Sequence, residues 1–149
     1  MSEIAELRLL AGFCLGAGDF GLEAHLVQEV VKPGEITPVH GAPPGVVGIR
    51  NLRGRIVTVI DLAVHLQLGV VNHGPRTRLM ILDGQGDLTG LLVDSVTDTF
   101  DVDLATLEPP PGNLSAALRG KVKGVWRQGE RLTAYLDVRT LFEDEVGGL

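Results

Sequence analysis

Three arginines fall within six residues, at Arg50, Arg53 and Arg55, in the stretch "GIRNLRGRIVTVIDL" from Gly48 to Leu62. They abut the apolar run Ile56–Val57–Thr58–Val59–Ile60, which reads as a buried strand. Guanidinium groups clustered at the start of a strand suit three chemistries: neutralising phosphate, serving a catalytic loop, or docking onto another protein's carboxylates and carbonyls. Net charge argues against the first. The chain of 149 residues carries a net charge of −6, and its pI is near 5.1. A nucleic-acid surface needs a basic face, whereas here the positive charge is local.

The other chemistry-bearing residues do not assemble into a catalytic pattern. His25, His40, His65 and His73 have no i, i+4 partner and no CxxC nearby, so no metal site is expected. The serines are Ser2, Ser95 and Ser115, and none lies in a GxSxG elbow. Cys14 is the only cysteine, which excludes an intramolecular disulfide; in "GFCLG" it reads as a buried, inert thiol. "GAGDFG" and "GQGDLTG" lie between strands and not between a strand and a helix, so they read as turns and not as phosphate cradles. Asp94, Asp98, Asp101 and Asp103 lack the spacing and central glycine of a calcium loop and read as a solvated face. An enzyme or small-ligand barrel built on Asp61, His65 and Arg53 is the alternative from a different class. Each of the three has a plainer reading, as a helix cap, a surface histidine and a docking charge. No cofactor is expected.

The elements that must position the arginines are mostly strands. Short Val, Leu and Ile runs are punctuated by Gly, Pro and Asp, with 20 glycines and 8 prolines in all. Expected strands are Arg8–Leu15, Phe20–Glu23, Val27–Val31, Val46–Asn51, Arg55–Ile60, Arg78–Leu82, Leu88–Val93, Val96–Phe100, Gly120–Arg127 and Arg131–Leu136. "DLAVHLQL" and "DVRTLFED" each open with an aspartate suited to an N-cap, and "EPPPG" reads as a stiff connector. No apolar run reaches the 18 or so residues of a membrane span, and the N-terminus lacks the pattern of a signal peptide. The expectation is a soluble, cytoplasmic chain without membrane insertion.

The sequence also repeats itself. "GAGDF" matches "GQGDL" at an offset of 68, and "GLEAHLVQEVV" matches "GLLVDSVTDTF" at 69. "VGIRNLRGRIVTVIDLAVHL" matches "KGVWRQGERLTAYLDVRTLF" at 76. Two five-stranded units with Gly-rich corners suggest two small barrels, roughly 16–66 and 84–142, packed together as one domain with a groove at the seam. Gly48/Gly124, Arg55/Arg131 and Asp61/Asp137 recur, which marks them as requirements of the fold. Arg53 does not recur. Its counterpart is Gly129, so of the three arginines it has the strongest claim to a function.

With these elements in order, the chain resembles the CheW family of chemotaxis coupling proteins along nearly its whole length. The resemblance is carried by "GDFGLEAHLVQEVV", "ITPVHGAPPGVVGIRNLRGRIVTVIDL", "GLLVDSVTDTF", "LEPPPG" and "KGVWRQGERLTAYLDVRTLF", with "NLRG" the most specific element. The resemblance implies a mainly β fold of two intertwined five-stranded SH3-like barrels with few short helices. It implies a non-enzymatic scaffold between the cytoplasmic tip of methyl-accepting chemoreceptors and the regulatory domain of a chemotaxis histidine kinase. An adaptor of another chemosensory system, such as pilus motility, is the alternative within the same class. Carried over by residue, Arg53, Val27, Glu29, Gly90 and Val96 fall on receptor-facing positions, and Val30, Ile36, Gly48 and Ile56 fall near the kinase-facing surface. Two departures lie near that surface: Thr58 where the family usually has proline, and Gly45–Val46–Val47 where it often has an aromatic residue.

Overall fold

The computed structural model describes residues 6–84 and 86–141. In chain order the elements are β1 (Leu7–Leu15), β2 (Gly18–Glu23), β3 (Val27–Val31), β4 (Val46–Leu52), β5 (Arg55–Asp61), α1 (Leu62–His65), β6 (Arg78–Gly84), β7 (Asp87–Val93), β8 (Ser95–Asp103), α2 (Ala116–Arg119), β9 (Val122–Gln128) and β10 (Arg131–Leu136). A final helical turn opens at Val138. All ten expected strands form, with ends differing by at most a few residues. Helix α2 was not anticipated; it starts where the Ser115 hydroxyl caps the Leu118 N–H at 3.2 Å. Phe142, the last matched residue of the repeat, lies outside the described residues.

The strands form two five-stranded sheets, ordered β3-β6-β7-β5-β4 and β8-β1-β2-β10-β9. They are two intertwined SH3-like barrels, called here barrel I and barrel II respectively. The barrels do not coincide with the contiguous segments 16–66 and 84–142. Each repeat donates its opening hairpin to the other repeat's three remaining strands. Hairpin β1–β2 joins β8, β9 and β10, while hairpin β6–β7 joins β3, β4 and β5. The exchange is made through two parallel pairings, β2 with β10 and β7 with β5.

Register shows how closely the copies match. Gly21 lies opposite Tyr135, as Gly90 lies opposite Val59. Phe100 lies opposite Leu10, as Val31 lies opposite Leu79, and both outer pairings carry a bulge. The offset is 69 throughout the hairpins, so the similarity of "GAGDF" to "GQGDL" at 68 is one residue out of structural register. Leu15↔Gly18 and Gly84↔Asp87 close equivalent turns, and Asp19 corresponds to Leu88.

One apolar cluster serves both barrels. It joins Phe13, Phe20 and Leu22 from the β1–β2 hairpin to Val57, Leu79 and Leu91 of barrel I. A smaller cluster of Leu10, Val102 and Tyr135 fills barrel II. The Tyr135 hydroxyl donates to Glu23 Oε1 at 2.5 Å, holding β10 to the end of β2 where the chain leaves barrel II. That hydrogen bond is the main reason the Glu23 carboxyl sits below its ordinary range; burial, aided by the same contact, pushes the Tyr135 hydroxyl well above its own. The aspartates expected as caps act as caps. Asp61 accepts from Val64 N and Val71 N, both at 3.1 Å, and Asp137 accepts from Arg139 N at 3.1 Å.

The recurring glycines mark where another strand of chain crosses. Thr37 and Ile49 exchange two backbone hydrogen bonds of 2.8 Å, which presses Thr37 onto Gly48. Glu108 and Val125 do the same at 2.9 and 2.8 Å beside Gly124. A Cβ on Gly48 would lie 2.2 Å from the Thr37 carbonyl oxygen, whereas one on Gly124 would lie 3.1 Å from that of Glu108. Backbone cannot yield as a side chain can. Gly48→Ala is therefore expected to cost about 2–3 kcal/mol in urea denaturation and Gly124→Ala about 1 kcal/mol or less. Equal costs would show that the crossing segment at Thr37 moves away freely.

Candidate docking surfaces

Arg53 sits at the tip of the β4–β5 hairpin. Leu52 and Arg55 pair across a two-residue turn, and Arg53 and Gly54 both have positive φ, at 52° and 87°. This is the type I′ geometry that matches strand twist, normally supplied by Asn-Gly or Gly-Gly. The Asn51 side chain steadies the turn by accepting from Gly54 N at 2.8 Å. In barrel II the equivalent turn residue is Gly129, with φ 63°. Arg53 is thus held in a backbone conformation that glycine occupies in the other copy. A left-handed non-glycine residue costs about 1 kcal/mol or more, and such strain collects where a side chain has a task.

The Arg53 side chain is 66% exposed, and its Nη2 forms an ion pair with Glu29 Oε2 on β3. Strands β3 and β4 are the two ends of the barrel I sheet, so the pair spans the seam where the barrel closes. Two residues picked from sequence for the same face, Arg53 and Glu29, therefore touch. Val27 opens β3 and Val96 lies at the start of β8, each where the chain passes from one barrel to the other. Both are half-buried against the shared core. Gly90 is different. It is buried in the middle of β7, and a Cβ there would meet Val57, Leu79 and Ile81 at 3.1–3.4 Å. It offers no surface to a partner; its role is to let these core side chains close over the strand.

The second candidate face is apolar. Val30 is 41% exposed and Ile56 is 55% exposed. Along β5, Ile56 and Thr58 face outward while Val57 and Val59 are buried. Val46, Ile56, Thr58, Ile60 and Leu88 line an open groove of about 480 Å³, so the residue that stands in place of the family's usual proline is on its wall. Ile36 is half-buried against the core. Gly48 is buried beneath Thr37 and cannot itself meet a partner.

The remaining singled-out residues serve the fold. Arg50 lies over Gly34, with its buried Nη1 lacking a hydrogen-bond partner among the described residues. Arg131 pairs with Asp19 at 2.7 Å. His65, read as a surface residue, meets the Leu141 carbonyl of the last helical turn. Asp94 is not a solvated acid: its carboxylate accepts from Gly16 N at 2.6 Å and Asn72 N at 2.8 Å, tying two loops together. Cys14 is half-buried, and desolvation raises its thiol pKa, which disfavours the nucleophilic thiolate. Among the described residues no helix is long and apolar enough to cross a membrane.

Comparison with known proteins places this geometry. The CheW-like domain family matches residues 10–146. The chain belongs to the CheW family. Within it, the chain is 27% identical to the chemotaxis protein CheW of Klebsiella aerogenes, over 97% of this chain and 93% of that one. It is 33% identical to the protein FrzA of Myxococcus xanthus, over 66% of this chain and 63% of that one. Among solved structures it is similar to the scaffolding protein TtCheW from Thermoanaerobacter tengcongensis, with a TM-score of 0.80 and 29% identity, covering 95% of this chain and 90% of that one. The similarity to TtCheW agrees with the paired barrels.

If Arg53 is kept for binding and not for folding, Arg53→Gly should fold normally. Relief of left-handed strain, worth about 1 kcal/mol, and loss of an exposed ion pair, worth about 1 kcal/mol or less, oppose one another. Thermal and urea unfolding should agree with wild type to within about 1 kcal/mol. A loss above about 2 kcal/mol would make the Arg53–Glu29 pair a structural latch.

Proposed function

We infer that the protein is a non-enzymatic coupling scaffold of a chemosensory array. It bridges the cytoplasmic tip of a methyl-accepting chemoreceptor and the regulatory domain of a chemotaxis histidine kinase, and it works in the cytoplasm, recruited to the array. The observation that carries the reading is Arg53. It is an exposed guanidinium held at a strained turn whose counterpart in the other barrel is glycine. A receptor tip is a helical hairpin, which docks through apolar anchors at i, i+3 and i+4. Val27 and Val96 supply apolar walls beside the passage between barrels. Arg53 supplies charge-assisted hydrogen bonds that fix orientation, with Glu29 holding the side chain ready.

The kinase contact is assigned to the apolar face of barrel I, centred on Ile56 and Val30 and bordered by Thr58. An exposed isoleucine at the centre of a barrel-to-barrel contact fits the profile of a binding hot spot. Gly48 and Gly90 shape these faces from beneath and do not touch either partner.

The two faces can be tested separately by co-sedimentation with receptor-tip fragments and a chemotaxis kinase. Arg53→Glu is expected to lose the receptor while keeping the kinase. Ile56→Asp is expected to lose the kinase, weakening binding by about 2 kcal/mol or more, while keeping the receptor. Loss of both partners in either variant, or of neither, would overturn the assignment of the two faces.

A further inference from the structure

The two barrel seams are closed by different residues. In barrel I, strands β3 and β4 face each other across the seam, with Arg50 lying over Gly34 just beyond the end of β3 and Arg53 paired to Glu29 at the edge. In barrel II, β8 and β9 occupy these places. The shared register puts Asp98 where barrel I has Glu29, Trp126 where it has Arg50, and Gly129 where it has Arg53. Barrel II therefore keeps the carboxylate and lacks both arginines. What it has is an open groove of about 320 Å³, lined among others by Asp98, Phe100, Trp126, Gln128 and Arg131.

The lining has the chemistry of a cation site. Trp126 and Phe100 stack 4.7 Å apart with an 11° interplanar angle. Phe100 rests on the backbone of Gly12 and Gly21, where added Cβ atoms would come within 3.0 and 3.3 Å of its ring. Both rings are half-buried, with Phe100 seated on these glycines and Trp126 stacked against it. The Arg131 guanidinium in the groove is already neutralised by Asp19 at 2.7 Å. Asp98 is exposed, and its carboxylate makes no hydrogen bond or ion pair with the described residues. A carboxylate and an aromatic face in one groove bind guanidinium well, through a charge-assisted fork and stacking on the ring.

We propose that the barrel II groove is a docking site for an exposed arginine on a segment of a partner protein, with Asp98 receiving the guanidinium and Trp126 stacking against it. The incoming arginine supplies from outside what Arg53 supplies from within barrel I. The net charge of −6 favours a basic partner surface. This site is separate from the receptor and kinase faces assigned above and does not depend on them.

Trp126 is the only tryptophan, so its fluorescence reports on this groove alone. The probe is a short capped peptide of glycine and serine with one central arginine, compared with the same peptide carrying citrulline, a neutral isostere. The arginine peptide should give a saturable Trp126 change at concentrations on the order of 10 mM or below, as suits a single-residue anchor. Citrulline should remove the response, and Asp98→Asn should weaken it by about tenfold. Asp101→Asn, a nearby acid outside the groove, should leave it unchanged. The proposal is overturned if the arginine peptide gives no saturable change, if citrulline binds equally well, or if Asp98→Asn binds as wild type does. It is also overturned if free arginine binds as tightly as the peptide, which would make the groove a small-molecule site.

Discussion

The parallel pairings of β2 with β10 and β7 with β5 are the constraint on which the rest of the molecule depends. Through them each barrel is completed by a hairpin from the other repeat. A unit of about 70 residues is too small to bury a strong core alone, and exchanging hairpins lets the two share one. The exchange also fixes where the chain crosses between barrels, at Glu23–Val27 and Asp94–Val96. Those crossings bring residues of β3 and β8 to equivalent places on either side of a pseudo-twofold arrangement. The cost is non-local contact, since Asp19 and Arg131 must meet across 112 residues. Topology of that kind folds slowly compared with local hairpins.

On this symmetric frame the two barrels have diverged at the same positions. Barrel I carries Arg53 paired with Glu29 across its seam and Arg50 lying over Gly34. The seam of barrel II contains two stacked aromatics and an aspartate whose carboxylate has no partner among the described residues. The two barrels thus close with different residues at matched positions. Positions that both barrels need, such as Gly48 and Gly124 under a crossing strand or the capping Asp61 and Asp137, carry the same residue twice. Divergence at matched positions therefore marks where the two barrels differ in more than what the fold repeats.

Much of this was legible in the sequence. Strand positions followed from short apolar runs between turn residues, and offsets of 69 and 76 exposed the repeat. Comparing its copies singled out Arg53. The hairpin exchange was hidden, because strand pairing is non-local and a repeat in sequence does not say which copy closes which barrel. Local similarity also misled once: "GAGDF" and "GQGDL" share turn chemistry, not register. Gly90 and Gly48 were placed on docking faces, yet both are buried, since a glycine demanded by close packing cannot be told from one at a binding surface without the neighbours that crowd it. Asp94 reads as a solvated acid in sequence because its partners, Gly16 and Asn72, lie far from it in the chain.

The central claim is that Arg53 reaches a partner and does more than close its own barrel. The most direct measurement exchanges the charges of the Arg53–Glu29 pair, Arg53→Glu together with Glu29→Arg, and follows stability and receptor binding in the same protein. The account predicts that the exchange keeps wild-type stability, because an ion pair still spans the seam, while receptor co-sedimentation remains lost. Recovery of receptor binding by the exchanged pair would contradict it, since the pair itself, and not the Arg53 side chain at that turn, would then be what coupling requires.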